Sequence, residues 1–273
     1  MTDRPGAYTC TKTGLRLVPA LGQLAYRVAQ DGYTMRGGAL SAPVNRDVGP
    51  LPPGAEKDSR GRFDTIGRTV YFGDSPEVCF AETLQGFRKI RQHQVADAHA
   101  AGQDVDEYLR DVAQDAIDSG IDPPWGVPGD WQVNRSLHYL RMPLVGWWVQ
   151  MDHAHTLNTL DDALAPQLHA LGIPLLTLSI ATGENRAATT LIAQYIRDLV
   201  LDDGSLPLGI SFPSKTGYGT CLAWWNRRED DGLMPAVDGP SSDGRSDNVY
   251  GPAFRKICED WGLPIRPGRP RYG

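Results

Sequence analysis

The stretch that decides the fold reads SRGRFDTIGRTVYFGDSPEVCFAETL and covers residues 59–84. Within it, residues 68–73 alternate between apolar and more polar side chains, with Val70 and Phe72 on one face. A period of two is typical of a strand with one buried face. The stretch therefore predicts a half-buried strand at 68–73, followed at once by a change of period.

That change of period predicts a helix. Ser75 is the expected N-cap, and Pro76 the first helical residue, where the missing backbone N–H costs nothing. The apolar side of this helix is formed by Phe80, Leu84 and Phe87. Glu82 points away from that side, so a solvated carboxylate is the simplest interpretation from spacing alone. The alternative is that the polar face of the helix lines a cleft.

Other elements follow outward from this stretch. Strands are predicted at residues 22–30 (the first of the chain), 143–151, 173–180, 209–214 and 221–225, the last two as a hairpin. Helices are predicted at residues 103–118, 160–171, 185–203 and 251–262. Because strands and helices are interleaved irregularly, we expect an α+β fold with a mixed, mostly antiparallel sheet core and flanking helices.

The remaining segments are predicted to be loops. Residues 40–60 contain Pro43, Pro50, Pro52 and Pro53, residues 119–140 are broken by prolines, and residues 229–250 are rich in Gly, Ser and Asp. At 273 residues the chain suits one large domain. We expect a single domain, 1–273, with its core at 22–226, inserts at 40–60 and 90–140, and a C-terminal extension at 227–273.

Composition excludes several classes. A hydrophobic fraction of 41% allows an ordinary core, and a net charge of −6 argues against direct nucleic-acid binding. The four cysteines form no CxxC pair, and His153 and His155 alone cannot complete a zinc site, so no metal is expected. Neither a signal peptide nor a membrane span is visible, which predicts a cytoplasmic protein without membrane contact.

Phosphate-binding and nucleophile motifs are missing. The chain has no GxxxxGK[ST] or GxGxxG, and Gly209–Pro213 departs from GxSxG because proline replaces the second glycine. Arg62 lies in a Gly-Arg-Phe turn, as either a surface residue or a bidentate phosphate clamp. Tyr71 is either a packing residue or a ligand-binding one.

Several short motifs occur in a recognisable order. They are Tyr26-Arg27-Val28, Gly61-Arg62-Phe63, Gly67, Val70-Tyr71-Phe72, Ser75-Pro76 with Ala81-Glu82, and Gly209-Ile210-Ser211-Phe212-Pro213-Ser214 before a hairpin. In this order the chain resembles the RES domain, a bacterial family named for its arginine, glutamate and serine. The matching motifs span most of residues 22–226 and are strongest at 61–84 and 209–214.

The resemblance implies a fold related to ADP-ribosyltransferases and an enzyme that consumes NAD as its substrate. By position, Arg62, Tyr71, Glu82 and Ser214 take the family's catalytic roles. Arg27 matches an arginine of the first strand, so Arg27, Arg62, Tyr71 and Ser214 are expected to bind NAD. The chain departs from the family pattern in its two inserts and its C-terminal extension.

The activity so implied is cleavage of the nicotinamide–ribose bond, by phosphorolysis or hydrolysis, in the toxin of a toxin–antitoxin pair. Glu82 would stabilise the cationic sugar, and Arg62 with Arg27 the pyrophosphate. Ser214 would bind the carboxamide or a phosphate ion. Expected partners are NAD, inorganic phosphate and a helix-turn-helix antitoxin, with no cofactor. The alternatives are a protein ADP-ribosyltransferase and a non-catalytic nucleotide- or partner-binding protein on the same fold.

Overall fold

Strands and helices alternate irregularly in the computed structural model, which describes residues 5–30, 38–45, 60–227 and 239–266. The described strands are β1 (Tyr8–Thr9), β2 (Arg16–Pro19), β3 (Leu24–Gln30), β4 (Val44–Asn45), β5 (Gly67–Gly73), β6 (Arg135–Arg141), β7 (Trp147–Gln150), β8 (Gly209–Pro213), β9 (Thr220–Asn226) and β10 (Ser241–Asn248). The described α-helices are α1 (Pro76–Ala100), α2 (Val105–Asp118), α3 (Gly129–Val133), α4 (Ala154–Ala170), α5 (Leu178–Ala181), α6 (Arg186–Arg197) and α7 (Pro252–Trp261).

The described strands form one sheet in the order β1-β2-β7-β8-β9-β5-β3-β6-β10, with β4 paired to β5 beside this path. Strands β7 and β8 run parallel, and the other described pairs run antiparallel. The predicted α+β fold with a mixed, mostly antiparallel sheet is confirmed. Its kinship with ADP-ribosyltransferases stays a prediction.

Helices pack on the sheet through two large apolar clusters. The first joins α4 and α6 to β2, β7 and β8 and includes Leu160, Ile192 and Ile210. The second joins α1 and α7 to β3 and β6 and includes Leu84 and Phe254. Helix α1 thus lies beside the middle of the sheet. Its position is set by the buried side chains of its first turns, which follow the N-cap residue Ser75.

The start of α1 agrees with its sequence signals. The Ser75 hydroxyl accepts a hydrogen bond from the backbone N–H of Val78 at 3.3 Å, and Pro76 is the first helical residue. The β8–β9 hairpin is also confirmed, as are strand 68–73 within β5 and the helices near 103–118 and 251–262. Trp148 and Trp224 belong to a third apolar cluster, whereas Trp225 belongs to the first, so neighbouring tryptophans lie on opposite faces of the sheet.

Several local predictions were wrong. Residues 173–180 form no strand; Thr177 instead caps the short helix α5, and its hydroxyl accepts a hydrogen bond from Ile180 N–H. A short apolar run does not distinguish a strand from a buried helical turn. The strand near 22–30 is the third rather than the first, and the helix predicted at 160–171 begins at Ala154.

Two strands replace predicted loops. Strand β6 lies between β3 and β10 in the sheet, and all of it except Arg141 falls in the predicted second insert, 90–140. Strand β10 lies within the predicted polar loop 229–250. Strand β10 is almost wholly polar and pairs with β6 through a register shift between Ser242 and Ser246. Its pairing partner, rather than its own composition, determines its conformation.

Other predictions fall partly outside the described residues. They include positions 46–59 of the first predicted insert, 229–238 of the polar loop and 267–273 of the C-terminal extension. The domain boundaries stay predictions. None of the described helices combines the length and the apolar composition needed to cross a bilayer.

Candidate active site

A pocket of about 290 Å³ opens beside α1, where strands β3 and β5 separate. Among the described residues these strands are paired only at Tyr26 and Gly73. The wall includes Arg27, Arg62, Tyr71, Glu82, Arg186 and Phe212. Four of the five residues predicted from the sequence therefore surround one pocket, and the fifth, Ser214, adjoins it through Glu82.

Glu82 is held by three side chains. Its Oε1 accepts a hydrogen bond from the Ser214 hydroxyl at 2.7 Å. Its Oε2 accepts hydrogen bonds from Arg62 Nη2 at 3.1 Å and from Gln85 Nε2 at 3.0 Å. The Glu82 side chain keeps 23% of its surface exposed, so the carboxylate is oriented by the protein but still reachable from the pocket.

Ser214 follows β8 and begins the turn to β9. Its hydroxyl donates to Glu82 and also accepts a hydrogen bond from Thr216 N–H at 3.1 Å. Its own N–H donates to the Gly219 carbonyl at 2.8 Å, which closes the hairpin. Ser214 therefore contacts both the candidate site, through Glu82, and its own turn, through Thr216 and Gly219.

We expect Ser214→Ala to weaken NAD cleavage, because Glu82 loses the donor on Oε1. We also expect the free energy of unfolding to fall by about 0.5–1.5 kcal/mol, because the turn loses a hydrogen bond. Thermal melting and NAD consumption on one preparation measure both effects. Ser205→Ala is the control, since the Ser205 hydroxyl also donates to a carboxylate, that of Asp203. Full activity with a lowered melting temperature would leave Ser214 with a turn role alone.

Arg62 links the carboxylate to the opposite wall of the pocket. Besides Glu82, it donates from Nη1 to the Thr182 carbonyl at 3.4 Å. Its Cζ lies 5.4 Å from the centre of the Phe212 ring. With 11% of its side chain exposed, Arg62 is not a freely solvated surface residue. These contacts fix the plane of the guanidinium group.

Tyr71 supports the turn that carries Arg62. Its hydroxyl donates to Asp64 Oδ1 at 2.8 Å and accepts a hydrogen bond from Phe63 N–H at 2.9 Å. Asp64 Oδ2 accepts from Gly61 N–H at 2.8 Å. A Cβ atom at position 61 would lie 2.5 Å from the Tyr71 hydroxyl, which explains the glycine there. Burial, reinforced by the Asp64 carboxylate, holds the pKa of Tyr71 well above its ordinary value.

We expect Tyr71→Phe to destabilise the protein by about 1–3 kcal/mol, because Phe63 N–H and Asp64 both lose a partner in a buried setting. NAD affinity should fall as well, since the 61–64 turn loses its support. Chemical denaturation and a binding titration measure the two effects. Tyr139→Phe, which removes a hydrogen bond to Asp247 in an exposed position, should change neither by much. Equal behaviour of the two variants would contradict the supporting role of Tyr71.

Positive charge dominates the wall of the pocket. The wall residues that the structure describes include three arginines, Arg27, Arg62 and Arg186, and one carboxylate, that of Glu82. Arg27 Nη1 donates to the Ala39 carbonyl at 2.6 Å, and Arg186 donates to the Arg60 and Gly183 carbonyls. Two carboxylates help the backbone oxygens to orient these groups, since Arg62 also donates to Glu82 and Arg186 to Glu184. With three arginines in its wall, the pocket suits an anionic ligand.

Two cysteines also lie in the wall but are poor nucleophiles. Burial raises the pKa of Cys79 to about 12, and it raises the pKa of Cys221 as well. Since the thiolate is the reactive form, neither thiol is suited to covalent catalysis at neutral pH.

The described residues contain no group of three or more His, Cys, Asp or Glu side chains placed to hold a metal ion. His153 caps helix α4, with its Nδ1 accepting a hydrogen bond from His155 N–H at 3.2 Å.

Sequence reasoning missed four contributors to this site: Asp64, Gln85, Arg186 and Thr216. Gln85 carried a usable signal, because residues three apart on a helix are neighbours and Gln85 lies three positions after Glu82. Asp64 lies inside the quoted stretch, but its role depends on the contact with Tyr71. Arg186 and Thr216 come from distant segments, and nothing local marks them.

Comparisons with known proteins assign no family. No protein-family model matches the chain, and no curated protein matches it. A solved structure, the M. tuberculosis MbcT–MbcA toxin–antitoxin complex, contains a chain with 9% identity and a TM-score of 0.40, over 86% of this chain and 88% of that one. This similarity is too low to support a statement about fold or function. Membership of the RES-domain family stays a prediction.

Proposed function

We propose that the protein is an NAD-degrading enzyme that cleaves the nicotinamide–ribose bond. The observation that carries the proposal is the Glu82 carboxylate, held by Arg62 and Ser214 in a pocket with positively charged walls. These are the residues at which the sequence resembles the RES domain. The charge of the pocket fits the pyrophosphate of NAD, and the carboxylate fits a cation forming on the ribose.

In the proposed reaction the bond between ribose C1′ and the nicotinamide nitrogen breaks, and its electron pair leaves with nicotinamide. Positive charge then develops on C1′ and the ring oxygen of the ribose. Glu82 faces that charge, and its three hydrogen bonds keep it in place without reorganisation during the reaction. A water molecule or a phosphate ion adds to C1′, so the second product is ADP-ribose or its 1-phosphate.

In this proposal Arg62 and Arg186 hold the pyrophosphate, and Arg27 of β3 contributes a third positive charge from the same wall. The Tyr71 hydroxyl already has two partners, so its ring is the part that the ligand would contact. A toxin role with an antitoxin partner belongs to the same proposal and rests on the sequence resemblance.

Incubation of the purified protein with NAD, with and without inorganic phosphate, tests the proposal. Phosphate-dependent loss of NAD indicates phosphorolysis, and phosphate-independent loss indicates hydrolysis. Transfer of label from NAD to a protein would replace the proposal by protein ADP-ribosylation. If NAD is not consumed under any condition, the alternative of a non-catalytic binding protein is favoured. Co-expression with the products of neighbouring genes tests the antitoxin.

A further inference from the structure

A second pocket, of about 320 Å³, lies next to the candidate active site on the exposed side of α1. We call it the basic pocket; its wall is formed by Gln85, Arg88, Lys89, Gln92, His93 and Lys215. The residues from α1 recur at intervals of three and four positions, so they share one face of the helix. That face continues directly from Glu82.

The basic pocket is concave because the β8–β9 turn overhangs the helix. Lys215 and Thr216 of this turn complete the wall. An exposed helix face alone would be a solvated surface, whereas here a second element forms the other side of an open cleft. Its volume lies at the lower end of the range of about 300–1,000 Å³ found for small-molecule sites.

The basic pocket is strongly cationic. Arg88, Lys89 and Lys215 supply three positive charges, and no carboxylate belongs to the described wall. Lys215 makes an ion pair with Glu184 outside the wall. Burial lowers the pKa of Lys215, while its hydrogen bond with Glu184 acts in the opposite direction and Arg62 and Arg186 add to the lowering. An anion in the basic pocket would stabilise the charged form of Lys215.

Two hydrogen bonds connect the basic pocket to the candidate active site. Gln85 donates to Glu82 at 3.0 Å, and the Thr216 hydroxyl lies 2.5 Å from that of Ser214. The two pockets therefore adjoin near the Glu82–Ser214 pair. The first pocket, of about 290 Å³, is small for a whole dinucleotide. The basic pocket adjoins it and has room for a further charged group of the same ligand or of a second one.

We propose that the basic pocket is a phosphate subsite, in which Arg88, Lys89 and Lys215 hold a phosphate group beside Glu82. Lysine and arginine side chains, amide donors and a hydroxyl are the groups that bind phosphate oxygens. The phosphate comes either from a nucleotide or from a free phosphate ion. The two sources share one chemistry at this surface and are separated by the experiment.

Calorimetric titration at low ionic strength, with no NAD present, tests the subsite. The probes are inorganic phosphate and ADP. Arg88→Ala/Lys89→Ala should weaken binding of at least one probe by about tenfold or more. Arg255→Ala/Lys256→Ala is the matched control, because it removes the same Arg-Lys pair from the exposed face of α7. Binding by the wild-type protein should also weaken as salt is added.

The two probes distinguish the sources. Weakened binding of inorganic phosphate alone assigns a free phosphate ion, and weakened binding of ADP assigns a nucleotide phosphate. Equal affinities of the two double variants for both probes, or no binding by the wild-type protein, would overturn the proposal. Arg88 packs over Trp261, so its loss could lower the stability of the double variant. If the double variant has a lowered melting temperature, the titration is repeated with Lys89→Ala alone. Because no turnover is measured, the result is independent of the proposed NAD cleavage.

Discussion

Replacing Glu82 by glutamine is expected to lower the rate of NAD cleavage by about 10²–10³ and to leave the protein folded. The amide keeps the shape of the side chain, and its oxygen still accepts the hydrogen bond from Arg62. The charge that faces the developing cation is lost, and that charge stabilises the transition state more than the bound substrate. Initial rates at saturating NAD, with a thermal melt of the same sample, measure the effect.

Glu77→Gln is the control for this experiment. Glu77 lies in the first turn of the same helix and undergoes the same chemical change, but it is absent from the wall of the pocket. It should retain the wild-type rate. If Glu82→Gln also consumes NAD at the wild-type rate, Glu82 has no part in the chemistry.

Arg62→Lys is expected to reduce NAD affinity by about tenfold or more, although the charge is conserved. Lysine cannot donate to Glu82 and to the Thr182 carbonyl at once from a fixed plane, and it loses the contact of the guanidinium group with Phe212. A calorimetric titration with NAD in the Glu82→Gln background, where turnover is slow, gives the affinity directly.

The exposed residue Arg110 supplies the matched control for Arg62. It lies on α2, and its Nε donates to a carbonyl of its own helix, so Arg110→Lys should leave NAD affinity unchanged. Melting temperatures of the two variants should be similar, because Arg62 lies at a pocket wall rather than in an apolar core. Unchanged NAD affinity in Arg62→Lys would contradict the clamp role of this arginine.

The parts of the fold that were predictable are those with local signals. Ser75 and Pro76 mark the start of α1, and the Gly-rich turn between β8 and β9 marks a hairpin. Strands β6 and β10 carry no alternating pattern of apolar and polar residues. The buried residues of β6 lie on both of its faces, and β10 is polar. Their conformation follows from pairing with strands far away in the chain, which a local pattern does not reveal.

The candidate site was predictable to a similar extent. Arg62 and Glu82 lie 20 positions apart and could be proposed together from one stretch. Ser214 lies 132 positions after Glu82, and only the resemblance to a family connected them. The supporting role of Asp64 depends on a side-chain contact with Tyr71 that no spacing rule describes. The resemblance thus indicated which residues converge but not which of them hold the others in place.

The position of β9 has a consequence for folding. This strand joins β8 to β5, and so connects the half of the sheet that contains β7 to the half that contains β3. Its partner β5 is made much earlier in the chain, and contacts between residues so distant in sequence form slowly. Protein synthesis proceeds from the N-terminus, so Arg62 and Glu82 leave the ribosome long before β9. The nascent chain therefore has no assembled site until β9, which ends at Asn226 of the 273 residues, has been made.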